Sequence, residues 1–327
     1  MIVTRTPLRV SFFGGSTDIK SFYEKISYGS VLSCAIDKYI YVVVHERIDK
    51  KIRVIYNSTE LVEDIEQLNH NRAKACLKEV GINSGIEIAS FHDIPSENGG
   101  FGLGASSSYT VGLLKALYKF KNENVSNEEI ARIACEIEMN VLQEPIGKQD
   151  QYAAAVGGLN HIEFYYDELV KIYPIKINNN ISNMINHLFL VYVGKHRTNF
   201  ASDILKDVSN NININYTDMI KLRDYSDLMY LDLLRDDTSN FNSRLNENWI
   251  YKKKTSNFIT NEHINKVVDF IKNFGANSAK LLGAGGGGYI LVYGPDNNEF
   301  ARKLSSELNT SYINFNIDMQ GSVILYA

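Results

Sequence analysis

Nothing in this 327-residue chain approaches the ~20 consecutive apolar residues that a membrane-crossing helix needs. The opening residues 1–9 also lack the apolar run of a signal peptide, so a cytoplasmic protein with no membrane contact is expected. Cysteine is scarce. The three present, Cys34, Cys76 and Cys135, are far apart and without metal-ligand spacing, and they read as reduced core thiols. Positive charge is not in excess: 34 Lys and Arg stand against 38 Asp and Glu, a formal net charge of -4. A nucleic-acid binder normally carries a basic face, so nucleic acid is not an expected partner. The short basic run Lys252 to Lys254 reads as a solvated helix face.

With 44 % hydrophobic and 22 % charged residues, the composition is that of an ordinary globular protein, and the length suits two domains that share a cleft. Strand character marks Val10 to Phe13, Val31 to Glu46 and Ile86 to Ser90, while helical spacing covers Asn71 to Val80 and Ser108 to Phe120. A further helix starts at Ser126, with Glu129 three residues on as a capping box, and repeats Ile130, Ile133, Ala134, Ile137 and Val141 on one face. Glu138 borders that face, whereas Glu136 pairs with Arg132 on the wet side. The polar segment 176–183 lacks both periodicities and reads as the domain boundary, dividing the chain into 1–182 and 183–327. Beyond it come a strand from Leu188 to Val193, helices near Asp218 to Leu234, Asn261 to Phe274 and Glu299 to Leu308, and strands flanking Gly283 to Gly288. Strands framing helices in this order read as α+β.

The densest chemical signal is the segment Pro95 to Ser108, a glycine-rich loop that runs into a helix. Glycines let the backbone approach a ligand, the first helical turn leaves amide donors unpaired, and the helix dipole favours negative charge there. Ser106, Ser107 and Ser108 add hydroxyl donors and candidate ligands for a hard cation. No lysine completes a Walker A loop, and Gly100, Gly102 and Gly104 alternate instead of following the dinucleotide spacing, which sets a dehydrogenase aside. On its own the loop is open between phosphate binding and simple flexibility. Asp150 is likewise open between a helix cap and a reactive carboxylate, Glu138 between an edge residue reaching for water and a functional acid, and Gly283 to Gly288 between an anion nest and a tight hairpin.

Three separated segments, taken together, resemble the signature motifs of the GHMP sugar and isoprenoid kinases: Thr6 to Asp18, Gly102 to Ser108, and Leu282 to Gly288. The similarity spans nearly the whole chain. Within that superfamily, Gln143 to Ala155 looks most like the D-glycero-D-manno-heptose 7-phosphate kinases. The resemblance implies an N-terminal α/β domain with a left-handed crossover, a ferredoxin-like C-terminal α+β domain, and a substrate cleft between them. It implies ATP and Mg²⁺ as cofactors and a sugar phosphate as the small-molecule partner; a homodimer is the assembly considered.

Residue by residue, the resemblance puts Asp150 at the catalytic aspartate and Arg9 at the basic position beside the reacting hydroxyl. Gly100, Gly102, Leu103, Gly104, Ala105, Ser106, Ser107 and Ser108 then hold the nucleotide, with Ser106 and Glu138 as metal ligands. Asp18 matches the sugar-hydroxyl acceptor, with Gly15, Ser16, Thr198, Gly285 and Gly286 completing the substrate side. Ala105 departs from the usual pattern by replacing its first serine, so metal binding leans on Ser106 and Glu138. Lys148, Arg197 and Arg5 are the candidate anchors for a sugar phosphate. The implied reaction is phosphorylation of C1 of heptose 7-phosphate, in nucleotide-activated heptose biosynthesis. Rival readings are a fucose- or galactose-type anomeric kinase, and a sugar or nucleotide sensor without catalysis.

Overall fold

The computed structural model describes residues 1–94, 102–194, 201–295 and 297–327. The chain opens with β1 (Ile2–Phe13), α1 (Lys20–Ile26) and a long β2 (Tyr28–Glu46), then β3 (Ile52–Ile55), β4 (Thr59–Val62), α2 (Asn71–Val80) and β5 (Ile86–His92). Next come α3 (Ala105–Phe120), α4 (Asn127–Glu136), which runs into a π-helical turn at Ile137–Val141, then α5 (Gln149–Val156), β6 (Leu159–Tyr165), β7 (Val170–Pro174) and α6 (Asn179–Asn186). The remainder is β8 (Leu188–Tyr192), α7 (Ala201–Asn210), α8 (Tyr216–Leu234), α9 (Phe241–Lys254), α10 (Glu262–Asn273), β9 (Ser278–Leu281), β10 (Tyr289–Tyr293), α11 (Asn297–Glu307), β11 (Tyr312–Asn314) and β12 (Val323–Tyr326).

The expected α+β class is what forms. The first sheet follows the order β12-β1-β2-β5-β3-β4, with β6 and β7 on the other end of β2. β2 is long enough to serve both halves: Tyr28 to Cys34 pair with β6, and Ile40 to Glu46 pair with β5. β1 begins eight residues earlier than its apolar run suggests, because Thr4 and Thr6 are buried against α3 and the last strand. Thr4 Oγ1 donates to the Gly112 carbonyl at 2.9 Å, and Thr6 Oγ1 pairs with Ser322 Oγ at 2.8 Å. Pro7 has no N–H for the ladder, and the register with β2 shifts just after it.

The second sheet has the order β11-β8-β10-β9, all antiparallel. Counting its strands along the chain, that order is fourth, first, third, second, with helices after the first and third. This is the ferredoxin-like arrangement. Its core, built on Phe189, Val191, Trp249, Ile264, Ile271 and Ile290, is separate from the core of the first sheet, on which α3 and α5 lie, with α4 packed in turn on those two helices.

Three expectations need correction. The polar segment 176–183 is not structureless: Asn178 caps α6 by accepting from the Ile181 amide at 2.9 Å. The division at 182/183 is crossed again near the end, since β12 pairs with β1 and covers an edge that would otherwise be exposed. Arg132 donates to Glu129 at 2.9 and 2.8 Å and not to Glu136, which accepts from Asn140 instead. α9 carries too little apolar periodicity to be read in advance, whereas α7, with Ile204 and Val208 on one buried face, shows a helical pattern that is missing from the expected elements. All three cysteines are free and buried. Among the described residues no helix is long and apolar enough to cross a membrane.

Candidate active site

A cavity of about 570 Å³ lies between the two sheets' elements, lined by β1, the loop after it, the starts of α3 and α5, and residues of α9, β9 and the loop after β9. β1 brings Arg9 into this cleft and α5 presents Asp150 in its first turn, where the helix dipole favours a carboxylate. The two meet as a bidentate pair, Nε to Oδ1 and Nη2 to Oδ2, each at 2.7 Å. The remaining Arg9 nitrogen, Nη1, donates to the Gly102 carbonyl at 2.5 Å, and the Arg9 amide donates to the Leu103 carbonyl at 3.0 Å. The glycine loop is thereby fastened to β1 by side chain and backbone alike.

Gly102 also touches the third motif. A Cβ on Gly283 would stand 2.4 Å from the Gly102 Cα, and both residues have positive φ, so only glycine fits either place. Leu282, Gly283 and Ala284 line the cleft. Gly285 and Gly286 do not: they pack on Ile259, whose carbonyl accepts the Gly286 amide at 3.0 Å.

The serines at the start of α3 divide their tasks. Ser106 is exposed and lines the cleft with Ala105. Ser107 donates to Glu138 Oε2 at 2.8 Å, and Ser108 turns back to the Pro7 carbonyl at 2.8 Å. Gly104 lines the cleft while Leu103 is buried beneath it. Gly100 and Thr198, with Arg197, lie outside the described residues.

Glu138 is completely buried, because the π-helical turn that begins at Ile137 swings it inward from the stripe's edge. Its oxygens accept from Thr110 at 2.5 Å and Arg72 at 3.3 Å, and from Gln151 at 2.5 Å besides Ser107. Burial raises its carboxyl pKa, opposed by Arg72 and by the Thr110 and Ser107 hydroxyls. Arg72 continues to Glu144 at 2.5 Å. Replacing Arg72 with Gln strands a buried carboxylate and is expected to cost about 3 kcal/mol, read as a lower urea midpoint at unchanged slope.

Asp18 is buried at the far side of the cleft. It accepts from the Ser16 amide, the Gln149 amide and Gln149 Nε2, each at 3.1 Å. Burial raises its pKa against the Gln149 bond, and the nearby Asp150 charge adds to the rise. A Cβ on Gly147 would stand 1.9 Å from Asp18 Oδ2, so the turn before α5 passes directly over this carboxylate.

Two of the cations considered for a sugar phosphate are engaged elsewhere. Lys148 pairs with Glu168 and lies over the Tyr23 ring, and Arg5 bonds Gln320 at 2.7 Å and lies over Tyr39. The cleft itself is lined by two other lysines, Lys252 and Lys280, both from the second half of the chain. Lys252 is not on a solvated face: it is 6 % exposed and donates to the Gly15 carbonyl and to Ser16 Oγ. Its signal in the sequence was masked by Lys253 and Lys254 beside it. Arg72, Asn248 and Lys280 carried no local motif at all.

Family models for the GHMP kinases N terminal domain and GHMP kinases C terminal match residues 69–158 and 229–310. A D-glycero-alpha-D-manno-heptose 7-phosphate kinase of Campylobacter jejuni is 30 % identical over 315 residues, covering 89 % of each chain. The chain is a GHMP kinase. It is therefore a phosphotransferase that acts on a hydroxyl group, and its heptose kinase relatives make it a sugar kinase of that family. Among solved structures, a D-glycero-D-manno-heptose 1-phosphate kinase of Bacteroides thetaiotaomicron superposes with a TM-score of 0.79 at 25 % identity, covering 100 % of this chain and 99 % of that one. Galactokinase of Lactococcus lactis shares the fold, with a TM-score of 0.74 at 18 % identity over 100 % and 95 % of the two chains.

GHMP kinases take their phosphoryl group from ATP, and the oxygen donors here fit a magnesium ion in kind. Ser106 offers a hydroxyl and Glu138 a carboxylate, and Thr110 ties the two positions, its single hydroxyl proton shared between Glu138 at 2.5 Å and the Ser106 carbonyl at 3.2 Å. Since Thr110, Arg72, Ser107 and Gln151 already fill the carboxylate's acceptor positions, a cation bound there would displace one of those donors.

Proposed function

We propose that this GHMP kinase transfers the γ-phosphoryl group of ATP to the anomeric C1 hydroxyl of D-glycero-D-manno-heptose 7-phosphate, giving the 1,7-bisphosphate, as a cytoplasmic step in nucleotide-activated heptose biosynthesis. The observation that carries it is the Asp150 carboxylate, gripped at both oxygens by Arg9, in one cleft with the start of α3 on one side and Asp18 on the other. The named activity of the Campylobacter jejuni relative supports the choice of sugar.

On this reading Asp150 orients the C1 hydroxyl and accepts its proton as the oxygen attacks. Arg9 holds Asp150 in place and offsets negative charge on the moving group. Asp18 accepts a sugar hydroxyl, and with Gln149 it fixes the ring relative to Asp150. The amides at the start of α3 receive the phosphates, with Ser106 and Glu138 as the residues that would hold Mg²⁺. When bound, that ion supplies charge neutralisation of the transferred group. The purine fits a second cavity of about 390 Å³ lined by Tyr56, Asn69, His70, Asn71 and Leu142, which shares Arg72 and Glu144 with the main cleft. The Tyr56 ring meets His70 edge-on at 4.6 Å, leaving an aromatic wall for a base.

The test is ADP release with magnesium ATP and a panel of heptose 7-phosphate, free heptose, galactose and fucose. Heptose 7-phosphate is expected to exceed the others in kcat/KM by at least about 100-fold, the range that paired charges give in a site built for them. Equal activity on galactose or fucose would overturn the choice of sugar, and no ADP release with any of them would favour the sensor.

A further inference from the structure

One end of the cleft holds four side chains that the reaction outlined above does not use. Ser11 comes from β1, Asn248 and Lys252 from α9, and Lys280 from β9, and all four line the cavity while being at most 6 % exposed. They form one cluster. Lys280 Nζ donates to the Phe12 carbonyl at 2.7 Å, to Asn248 Oδ1 at 3.2 Å and to the Ser11 carbonyl at 3.4 Å. Lys252 reaches the Gly15 carbonyl at 3.3 Å and Ser16 Oγ, which leaves one of its three protons uncommitted.

Two buried polar atoms in this cluster lack a protein partner: Ser11 Oγ and Asn248 Nδ2. The amide nitrogen can only donate, and so can the spare Lys252 proton, so the cluster offers donors to whatever enters. Charge points the same way. Arg9, Lys252 and Lys280 are three buried cations, and the carboxylates facing them are two, Asp150 on Arg9 and Asp18 near Lys252. Lys280 has only neutral acceptors, and an isolated buried ammonium is costly unless an anion joins it.

We propose that Ser11, Asn248, Lys252 and Lys280 form an anion subsite that binds the phosphate carried by the acceptor sugar, an assignment that rests on the sugar-phosphate reading above. Lys252, Ser11 and Asn248 donate to its oxygens, and Lys280 supplies charge while its own bonds hold Asn248 and β1 in register. Burial pushes Lys252 down to about 8 and Lys280 to about 7, the latter helped by the Lys252 and Arg9 charges. A bound dianion opposes both effects. This end of the cleft also explains why Lys148 and Arg5 are free to serve as structural cations.

The experiment compares wild type with Lys252→Gln and Asn248→Ala on heptose 7-phosphate and on free heptose. Each variant is expected to lose about tenfold to a hundredfold more kcat/KM on the phosphorylated sugar than on the free one, mainly through KM, as for a lost charge-assisted hydrogen bond. Equal losses on both sugars, or none, overturn the subsite. Should wild type not prefer the phosphorylated sugar, the acceptor reading fails by itself. The subsite is then judged by calorimetric titration of inorganic phosphate into the full chain saturated with a non-hydrolysable ATP analogue. Binding to wild type that weakens at least about tenfold in Lys252→Gln supports it, and no binding to wild type overturns it.

Discussion

Asp150→Asn is expected to lower kcat on the order of 10³-fold while nucleotide affinity stays within about threefold of wild type. Asparagine keeps the size of the side chain and one of the two oxygens that Arg9 grips at 2.7 Å, so the glycine loop that Arg9 fastens at Gly102 should remain seated. What disappears is the carboxylate that, on the proposed mechanism, takes the proton from the attacking hydroxyl. The new amide also turns its own donors toward an arginine that has only donors to offer, which costs some stability but not the phosphate site. Steady-state ADP release gives the turnover, and calorimetry with an ATP analogue gives the affinity. A kcat within tenfold of wild type would remove Asp150 from the proton transfer.

Gly147→Ala should be nearly as damaging through a different route. The added methyl would sit 1.9 Å from Asp18 Oδ2 and 2.3 Å from its Cγ, far inside van der Waals contact. Asp18 cannot step aside cheaply, because it is buried and bonded to the Ser16 amide and twice to Gln149. Either Asp18 leaves the place proposed for a sugar hydroxyl or the start of α5 lifts and carries Asp150 with it. Overpacking of this kind costs up to about 3 kcal/mol of stability, and because it is relieved by displacing Asp18 or Asp150 the expected loss is about 100-fold in kcat/KM for the sugar. A variant that kept kcat/KM within fivefold would show that Asp18 does not contact the acceptor.

The parts of this molecule that a sequence reveals are those whose cause is local. α2 runs from Asn71 to Val80 as its spacing requires, and Ser126 caps α4 by accepting from the Glu129 amide at 3.2 Å. The three glycine motifs were legible because the glycines cluster within short segments, although the close approach of Gly102 to Gly283 that requires two of them shows only in the fold. Causes that are distant in the chain were not legible. Glu138 lies at the edge of an apolar stripe on a regular helix, and only the extra residue of the π-helical turn carries it fully inside. Lys252 looks like its solvated neighbours until α9 is laid across the loop at Gly15 and Ser16. Arg72 gains meaning only from Glu138 and Glu144, 66 and 72 residues away. The first half of β1 is hidden for a similar reason, since Thr4 and Thr6 are polar residues made internal by partners more than a hundred positions on.

Because β12 pairs with β1, the amino-terminal lobe reaches its final form only once residues from far along the sequence have been made. Residues 3–5 wait for residues 323–326, and until these emerge the outer ladder of β1 is open to any other extended chain. Release of a protein shortened by its last few residues would therefore leave a kinase with every reactive group present and an adhesive strand beside them.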